Sequence, residues 1–197
     1  MSDEKKLLRH RALADRDKIS LSKAEDAAIK IAFLARDLVE QLPHKCDNPQ
    51  LLSALYWPIR SEVNTLPLIN LLLQSGRLVA LPIMIKMKYP LVFRLYKEND
   101  QLITNKYGLS EPLNDKEECA PDLLFIPLAA FDRNGFRLGY GGGIYDATIS
   151  LFRSRKKIIT IGLAYASQEV ACVPTEPHDQ KLDYIITEKE LISLCPA

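Results

Sequence analysis

From Phe131 to Asp146 the chain reads Phe-Asp-Arg-Asn-Gly-Phe-Arg-Leu-Gly-Tyr-Gly-Gly-Gly-Ile-Tyr-Asp and holds five of its eight glycines. Glycine loses more backbone freedom on folding than any other residue, so five together need a reason. Close approach of the backbone to a phosphate is a sufficient one. Successive N–H groups then form a concave anion site at the start of the following helix. Arg137 adds a guanidinium fork for phosphate, and Asp146 can hold a magnesium ion that bridges phosphate oxygens. A tight surface turn explains the same glycines without a ligand. The spacing matches neither GxxxxGK[ST] nor GxGxxG after a first strand, which argues against a P-loop NTPase or a dinucleotide-binding protein.

Three other segments offer chemistry. Lys5 and Arg9 are four apart on a predicted helix and share a face; a nucleotide phosphate between them, or plain solvation, accounts for both. Glu62 can accept hydrogen bonds from an amino-heterocycle, with Trp57 packed on a flat ring, or it can cap the next helix. In Pro174–Asp183, Asp179 is a second candidate magnesium ligand and His178 a candidate acid or base, although a Pro/Thr/Asp turn explains the stretch nearly as well. No serine or cysteine sits in a nucleophile setting.

The elements that must position these groups follow from periodicity and punctuation. Ser2 or Asp3 caps a first helix to about Asp15. Ser22 with Glu25 reads as a capping box opening a helix to about Leu42, whose Ala28, Ile31, Ala32, Ala35 and Leu38 form one apolar face; Pro43 ends it and Pro49 opens the next segment. Strands are predicted at Leu51–Trp57, Leu78–Leu81, Leu91–Tyr96, Leu123–Ile126, Ile158–Leu163 and Leu182–Ile186. Helices are predicted at Thr65–Gln74 and Tyr145–Arg155, and a terminal one is capped by Thr187 and Glu190. Lys97–Pro121 reads mostly as loop. Alternating strands and helices argue for an α/β domain around a largely parallel sheet. Ligands in such sheets bind beyond the carboxyl ends of the strands, which points to Pro58–Glu62, Pro127–Gly143 and Ala164–Asp179.

Composition sets the outer bounds. A chain of 197 residues, 47% hydrophobic and 26% charged, can fold as one domain without disulfide or metal. A net charge of +1 gives no long-range pull toward nucleic acid or an anionic membrane. Cys46, Cys119, Cys172 and Cys195 form no CxxC pair and are expected to be reduced thiols of a cytoplasmic protein. The start lacks a signal-peptide apolar core, and no run of about 18 apolar residues exists to span a membrane.

Taken in order, these pieces resemble the 5-formyltetrahydrofolate cyclo-ligases. The resemblance rests on Lys5, Leu8 and Arg9; on Pro58 and Glu62-Val63-Asn64-Thr65; on Gly108, Glu111 and Pro112; on Phe131–Asp146; on Gly162-Leu163-Ala164-Tyr165 with Gln168; and on Pro174, His178-Asp179 and Thr187-Glu188. It implies a Rossmann-like α/β fold, a single domain over residues 1–197 with a mostly parallel sheet flanked by helices. It also implies ATP, Mg2+ and a reduced folate as small-molecule partners, acting on a monomer, and an enzyme that closes 5-formyltetrahydrofolate to 5,10-methenyltetrahydrofolate. By the same resemblance Lys5 and Arg9 look like triphosphate ligands. Arg137, Leu138, Gly139, Tyr140, Gly141, Gly142, Gly143, Ile144 and Tyr145 look like the phosphate cradle beside the folate, with Lys5 and Arg137 as the catalytic cations. Asp146 and Asp179 look like the magnesium ligands, and Trp57 and Glu62 like folate contacts. Three positions depart from the pattern: Ile144 stands where the family usually has Tyr, and Tyr140 and Gly142 stand where some members carry basic residues. These departures keep open a non-catalytic folate- or nucleotide-binding relative. A sugar-phosphate isomerase or CoA-transferase-like enzyme on a similar sheet lacks an evident acid–base pair.

Overall fold

A computed structural model describes residues 3–42 and 51–194. The predicted apolar strands pair into one eight-stranded sheet. Its centre is five parallel strands: β11 (Tyr184–Ile186), β10 (Ile159–Leu163), β7 (Leu123–Pro127), β1 (Ser53–Ala54) and β2 (Val79–Ile83). Antiparallel strands close both edges: β12 (Leu191–Ser193) beside β11, and β3 (Val92–Tyr96) then β6 (Glu118–Cys119) beside β2. The registers Ile159↔Leu123 through Leu163↔Pro127 keep successive side chains on opposite faces.

That alternation decides the two main cores. Leu55, Leu81, Leu123, Phe125, Ile161 and Ile186 face α2 (Leu21–Gln41) and α3 (Leu66–Gln74), while Ala54, Ala80, Leu124, Ile126 and Ile185 face α4 (Ile144–Arg153) through Ile149 and Phe152. Helix α2 presents the predicted stripe, with Ala28, Ile31, Ala32, Ala35 and Leu38 all buried. A third cluster, at the carboxyl ends of the strands, packs Leu8, Ala12 and Leu13 of α1 (Asp3–Arg16) on Ala129, Ala130, Leu138 and Val173. It is this cluster that sets α1 across the end of the sheet where ligands are expected.

Several expectations need correction. Helix α2 begins at Leu21, with Ser20 as its extended N-cap, and no side-chain cap bond forms, so the Ser22–Glu25 box is not used. Thr65 does precede α3, but its hydroxyl donates to the Tyr56 carbonyl at 2.6 Å rather than capping the helix. The Leu51–Trp57 run contributes only two ladder residues, with Leu55 N–H adding one bond to Ala80. Within Lys97–Pro121, a hairpin of β4 (Leu102–Thr104) and β5 (Ser110–Pro112) forms across a turn closed by Asn105 N–H on the Leu109 carbonyl, and β6 forms because Glu118–Cys119 pairs with β3. The expected terminal helix is a strand. Thr187 and Glu190 close a turn, and Leu191–Ser193 runs back along β11, burying Ile192 against the α4 face. Glycine-rich Gly135–Gly143 is partly ordered as β9 (Arg137–Leu138), paired with β8 (Ala130–Phe131). Ser2, Pro43, Cys46, Pro49 and Cys195 lie outside the described residues, and Cys119 and Cys172 are free thiols. No described helix is long and apolar enough to cross a membrane.

Candidate active site

A cleft of about 1170 Å³ opens at the carboxyl ends of β1, β2 and β7. Every site residue named from sequence borders it: Lys5, Arg9, Trp57, Glu62, the run Arg137–Asp146 and Asp179. Leu138 borders it through backbone, since its side chain is buried in the third cluster.

The glycine turn is built by backbone geometry that other residues resist. Gly141 has φ +91° and Gly143, the N-cap of α4, has φ +63°. A Cβ on Gly141 would lie 3.2 Å from the Arg9 guanidinium carbon, whose Nε–H donates to the Gly139 carbonyl at 2.6 Å. Arg9 therefore ties α1 to the turn. Asp132 holds the other end: it accepts from Asn134 and Phe136 N–H on Oδ1 and from Val173 N–H on Oδ2.

The expected cations and carboxylates are present, but they neutralise each other. Arg137, its side chain 5% exposed, donates to Asp146 Oδ1 at 2.8 Å and to the Gln180 carbonyl. Lys5, 4% exposed, meets Asp179 Oδ2 at 2.5 Å and Glu176 Oε2 at 3.1 Å. Gln180 N–H returns to Asp146 Oδ1 at 3.0 Å. The segment 176–180 is thus clamped to α1 on one side and to the glycine turn on the other. Arg137 is a buried tie rather than the open fork its sequence position suggested. Asp179 groups with Glu176 and the exposed His178, whose ligand atoms lie within 4.8 Å of one another, and Asp146 is not in that group. Asp146 accepts from Arg137 and from Gln180 N–H on Oδ1 and has no donor on Oδ2 among the described residues. Hard carboxylate oxygens of this kind suit magnesium.

Across the cleft, Glu62 is 7% exposed and accepts the Ile59 N–H at 3.0 Å. Burial pushes its carboxyl up to about 7, against the opposing effects of that N–H and of Arg16 and Arg60. Buried Tyr56 and partly buried Tyr145 lie near it, their hydroxyls driven well above the usual tyrosine range by burial first and by Glu62 next. A dry carboxylate among rings can recognise a flat heterocycle bearing N–H donors.

Residues 1–188 match the profile of the 5-formyltetrahydrofolate cyclo-ligase family. The chain belongs to this family. Among similar proteins, the 5-formyltetrahydrofolate cyclo-ligase of Haemophilus influenzae is 38% identical over 134 residues, 66% of this chain and 71% of the relative. That of Escherichia coli K12 is 33% identical over 143 residues, 70% of this chain and 78% of the relative. The solved 5,10-methenyltetrahydrofolate synthetase of Aquifex aeolicus superposes with a TM-score of 0.76 at 25% identity, covering 98% of this chain and 94% of that one. A synthetase from Mycoplasma pneumoniae shares the fold at a TM-score of 0.71 and 24% identity. The chain is accordingly a ligase of folate one-carbon metabolism.

Sequence reasoning on this cyclo-ligase family member missed one part of the cleft wall and one residue that supports it from behind. The segment after β2, Met84 to Lys88, crosses it; only its place after a strand could have flagged it. Glu111 anchors that segment by accepting Met84 N–H and Asn105 Nδ2–H, each at 2.7 Å. Arg16 was also missed. It is 2% exposed and donates to the Leu128 carbonyl at 3.0 Å, Ser61 Oγ at 3.0 Å and Tyr140 Oη at 2.6 Å. The Arg16 guanidinium lies 5.5 Å from the centroid of the Tyr140 ring and that of Arg60 5.6 Å from it. The aromatic residue that departs from the family pattern at 140 is thereby seated between two cations. Arg16→Met is expected to lower stability by about 3 kcal/mol, because the buried Leu128 carbonyl and two part-buried hydroxyls lose a charged donor at once. Thermal melting of the variant checks this; an unchanged midpoint counts against it.

Proposed function

We propose that this cleft makes 5,10-methenyltetrahydrofolate from 5-formyltetrahydrofolate at the expense of ATP, by phosphorylating the formyl oxygen. The carrying observation is that buried Glu62 and the glycine turn line one cleft. Glu62 accepts N–H groups of the pterin, and Trp57 borders the ring system. Turn amides at the start of α4, with Lys5, Arg9 and Arg137, receive the triphosphate.

A formamide carbonyl is a poor electrophile and its oxygen a poor leaving group. In the proposed reaction the formyl oxygen attacks the γ-phosphorus as the bond to ADP breaks. The folate's second nitrogen then attacks the formyl carbon and loses its proton, and the carbon–oxygen bond breaks to release phosphate. The products are methenyltetrahydrofolate, ADP and phosphate. The protein's part is alignment and charge neutralisation, so no covalent nucleophile is needed. Asp146 and Asp179 are suited to a magnesium ion, which supplies neutralisation of phosphate charge. Arrival of that complex exchanges partners: phosphate oxygens replace carboxylates on Lys5 and Arg137.

Absorbance of the methenyl chromophore with purified protein tests the reading. It is expected to rise only when ATP and magnesium are both present, with one ADP released per product. Binding of folate and nucleotide with no ATP-dependent absorbance sinks the proposal in favour of a non-catalytic binding protein.

A further inference from the structure

The glycine turn carries no cation of its own between Gly139 and Gly143, and the two buried cations beside it, Lys5 and Arg137, are committed to carboxylates. Arg9 meets the turn from α1, its Nε–H on the Gly139 carbonyl, and a different strand brings a second cation to it. Beyond Ile83, the end of β2, the chain runs along the cleft and docks on the turn: Lys88 N–H donates to the Gly142 carbonyl at 3.0 Å. The Lys88 Cγ lies 3.8 Å from where a Cβ on Gly143 would stand, so its stem follows the turn. Lys88 lines the cleft and makes no ion pair among the described residues. Neighbouring Lys86 is spoken for, lying 3.7 Å from the centroid of the Tyr89 ring.

The backbone adds an independent sign. Three described residues other than glycine have φ in the left-handed region, Arg60, Lys88 and Asn99, and the first two line the cleft. Lys88 holds φ +62°, where glycine would sit without strain. Strain of this kind persists at sites where a side chain is needed in place.

We propose that Lys88 is a catalytic residue whose ammonium group contacts the γ-phosphoryl group during its transfer. This rests on the reading given under Proposed function. As the bond from the formyl oxygen to phosphorus forms and the bond to ADP breaks, Lys88 stays protonated and donates hydrogen bonds to the equatorial oxygens. A compact charge on a flexible stem can follow the phosphorus as it moves. Docking on Gly142 keeps that stem beside the cradle.

Lys88→Gly separates charge from shape, since glycine accepts the same φ and keeps the N–H bond to Gly142. The variant is expected to melt no lower than the parent, to keep KM for folate within about threefold, and to lose about a hundredfold in kcat. Lys88→Arg and added ethylammonium are each expected to restore part of that loss. Calorimetry supplies a readout apart from turnover: the parent binds a non-hydrolysable ATP analogue more tightly than ADP, and Lys88→Gly loses that preference. A kcat within threefold of the parent, or a loss that neither arginine nor ethylammonium relieves, overturns the inference. A parent that prefers the triphosphate through Lys88 yet makes no methenyl product upholds the contact and sinks the cyclisation reading instead.

Discussion

Arg137→Ala is expected to lower turnover by about a hundred- to a thousandfold, with a smaller loss of stability of about 3 kcal/mol. Two separate causes lie behind these numbers. The guanidinium bridges the Gln180 carbonyl and Asp146, so its removal unties segment 176–180 from the glycine turn. It also leaves Asp146 without its cation partner, at 24% side-chain exposure. Segment 176–180 carries Asp179, and Asp146 opens α4, so both candidate metal ligands lose their placement together. Arg137→Lys is expected to rescue little. One ammonium cannot reproduce a planar fork reaching a carboxylate and a carbonyl at once. Asp146→Asn should cost a similar factor in turnover, and the double variant little more than either single one, because the residues act as a unit. Steady-state kinetics with thermal melts of the four proteins checks this. Near-normal turnover in Arg137→Ala, or strictly additive losses, would remove the pair from the site.

Glu62→Gln should trade function for stability. Its carboxyl, raised by burial from 4.5 to about 7, holds a proton more tightly in the folded protein than in the unfolded chain. Below about pH 4.5 both states are protonated and the residue carries no ionisation penalty. Between 4.5 and about 7 the unfolded state ionises first, and stability is drawn down as pH rises. Above that window the full cost of burying the charge, about 3 kcal/mol, is in force. At pH 8 the glutamine variant is therefore expected to be more stable than the parent by about 3 kcal/mol, a figure that already includes the attraction of Arg16 and Arg60. Folate binding should move the other way. The carboxylate accepts the pterin N–H groups with charge assistance, and the amide does so weakly, so KM for folate rises about 10- to 100-fold. In the parent, folate affinity is expected to strengthen from pH 6 to 8 as Glu62 ionises; in the variant that rise disappears. A pH-independent parent, or a variant with unchanged KM, would show that Glu62 does not hold the pterin.

Much of this was legible in one dimension, for local reasons. The period-3.6 stripe of α2, the short apolar runs of β2, β7 and β10, and the proline after α3's cap report burial directly, because burial follows side-chain spacing. Leu191–Ser193 was not legible. Its few residues suit a helix turn or a strand equally, and the open edge of β11 decided between them. β6 was hidden for the same reason, because its partner β3 comes from earlier in the chain, whereas the β4–β5 hairpin pairs locally across a turn at Gly108, a turn signal read as loop.

The candidate site divides along the same line. The residue types that can handle phosphate, magnesium and a pterin were legible in the primary structure, since five clustered glycines with Arg137 and Asp146 mark the segment even though a tight turn explains the glycines equally well. Their pairing was a matter of tertiary contact. That Lys5 neutralises Asp179, that Arg137 ties to the Gln180 carbonyl, that Arg16 seats Tyr140 and that Lys88 reaches the turn from β2 all depend on separations of 43 to 174 residues closed only by packing. Spacing along a chain encodes which face a side chain occupies. It does not encode which distant charge meets it there, because that follows from how the sheet orders its strands and where α1 lies across their ends.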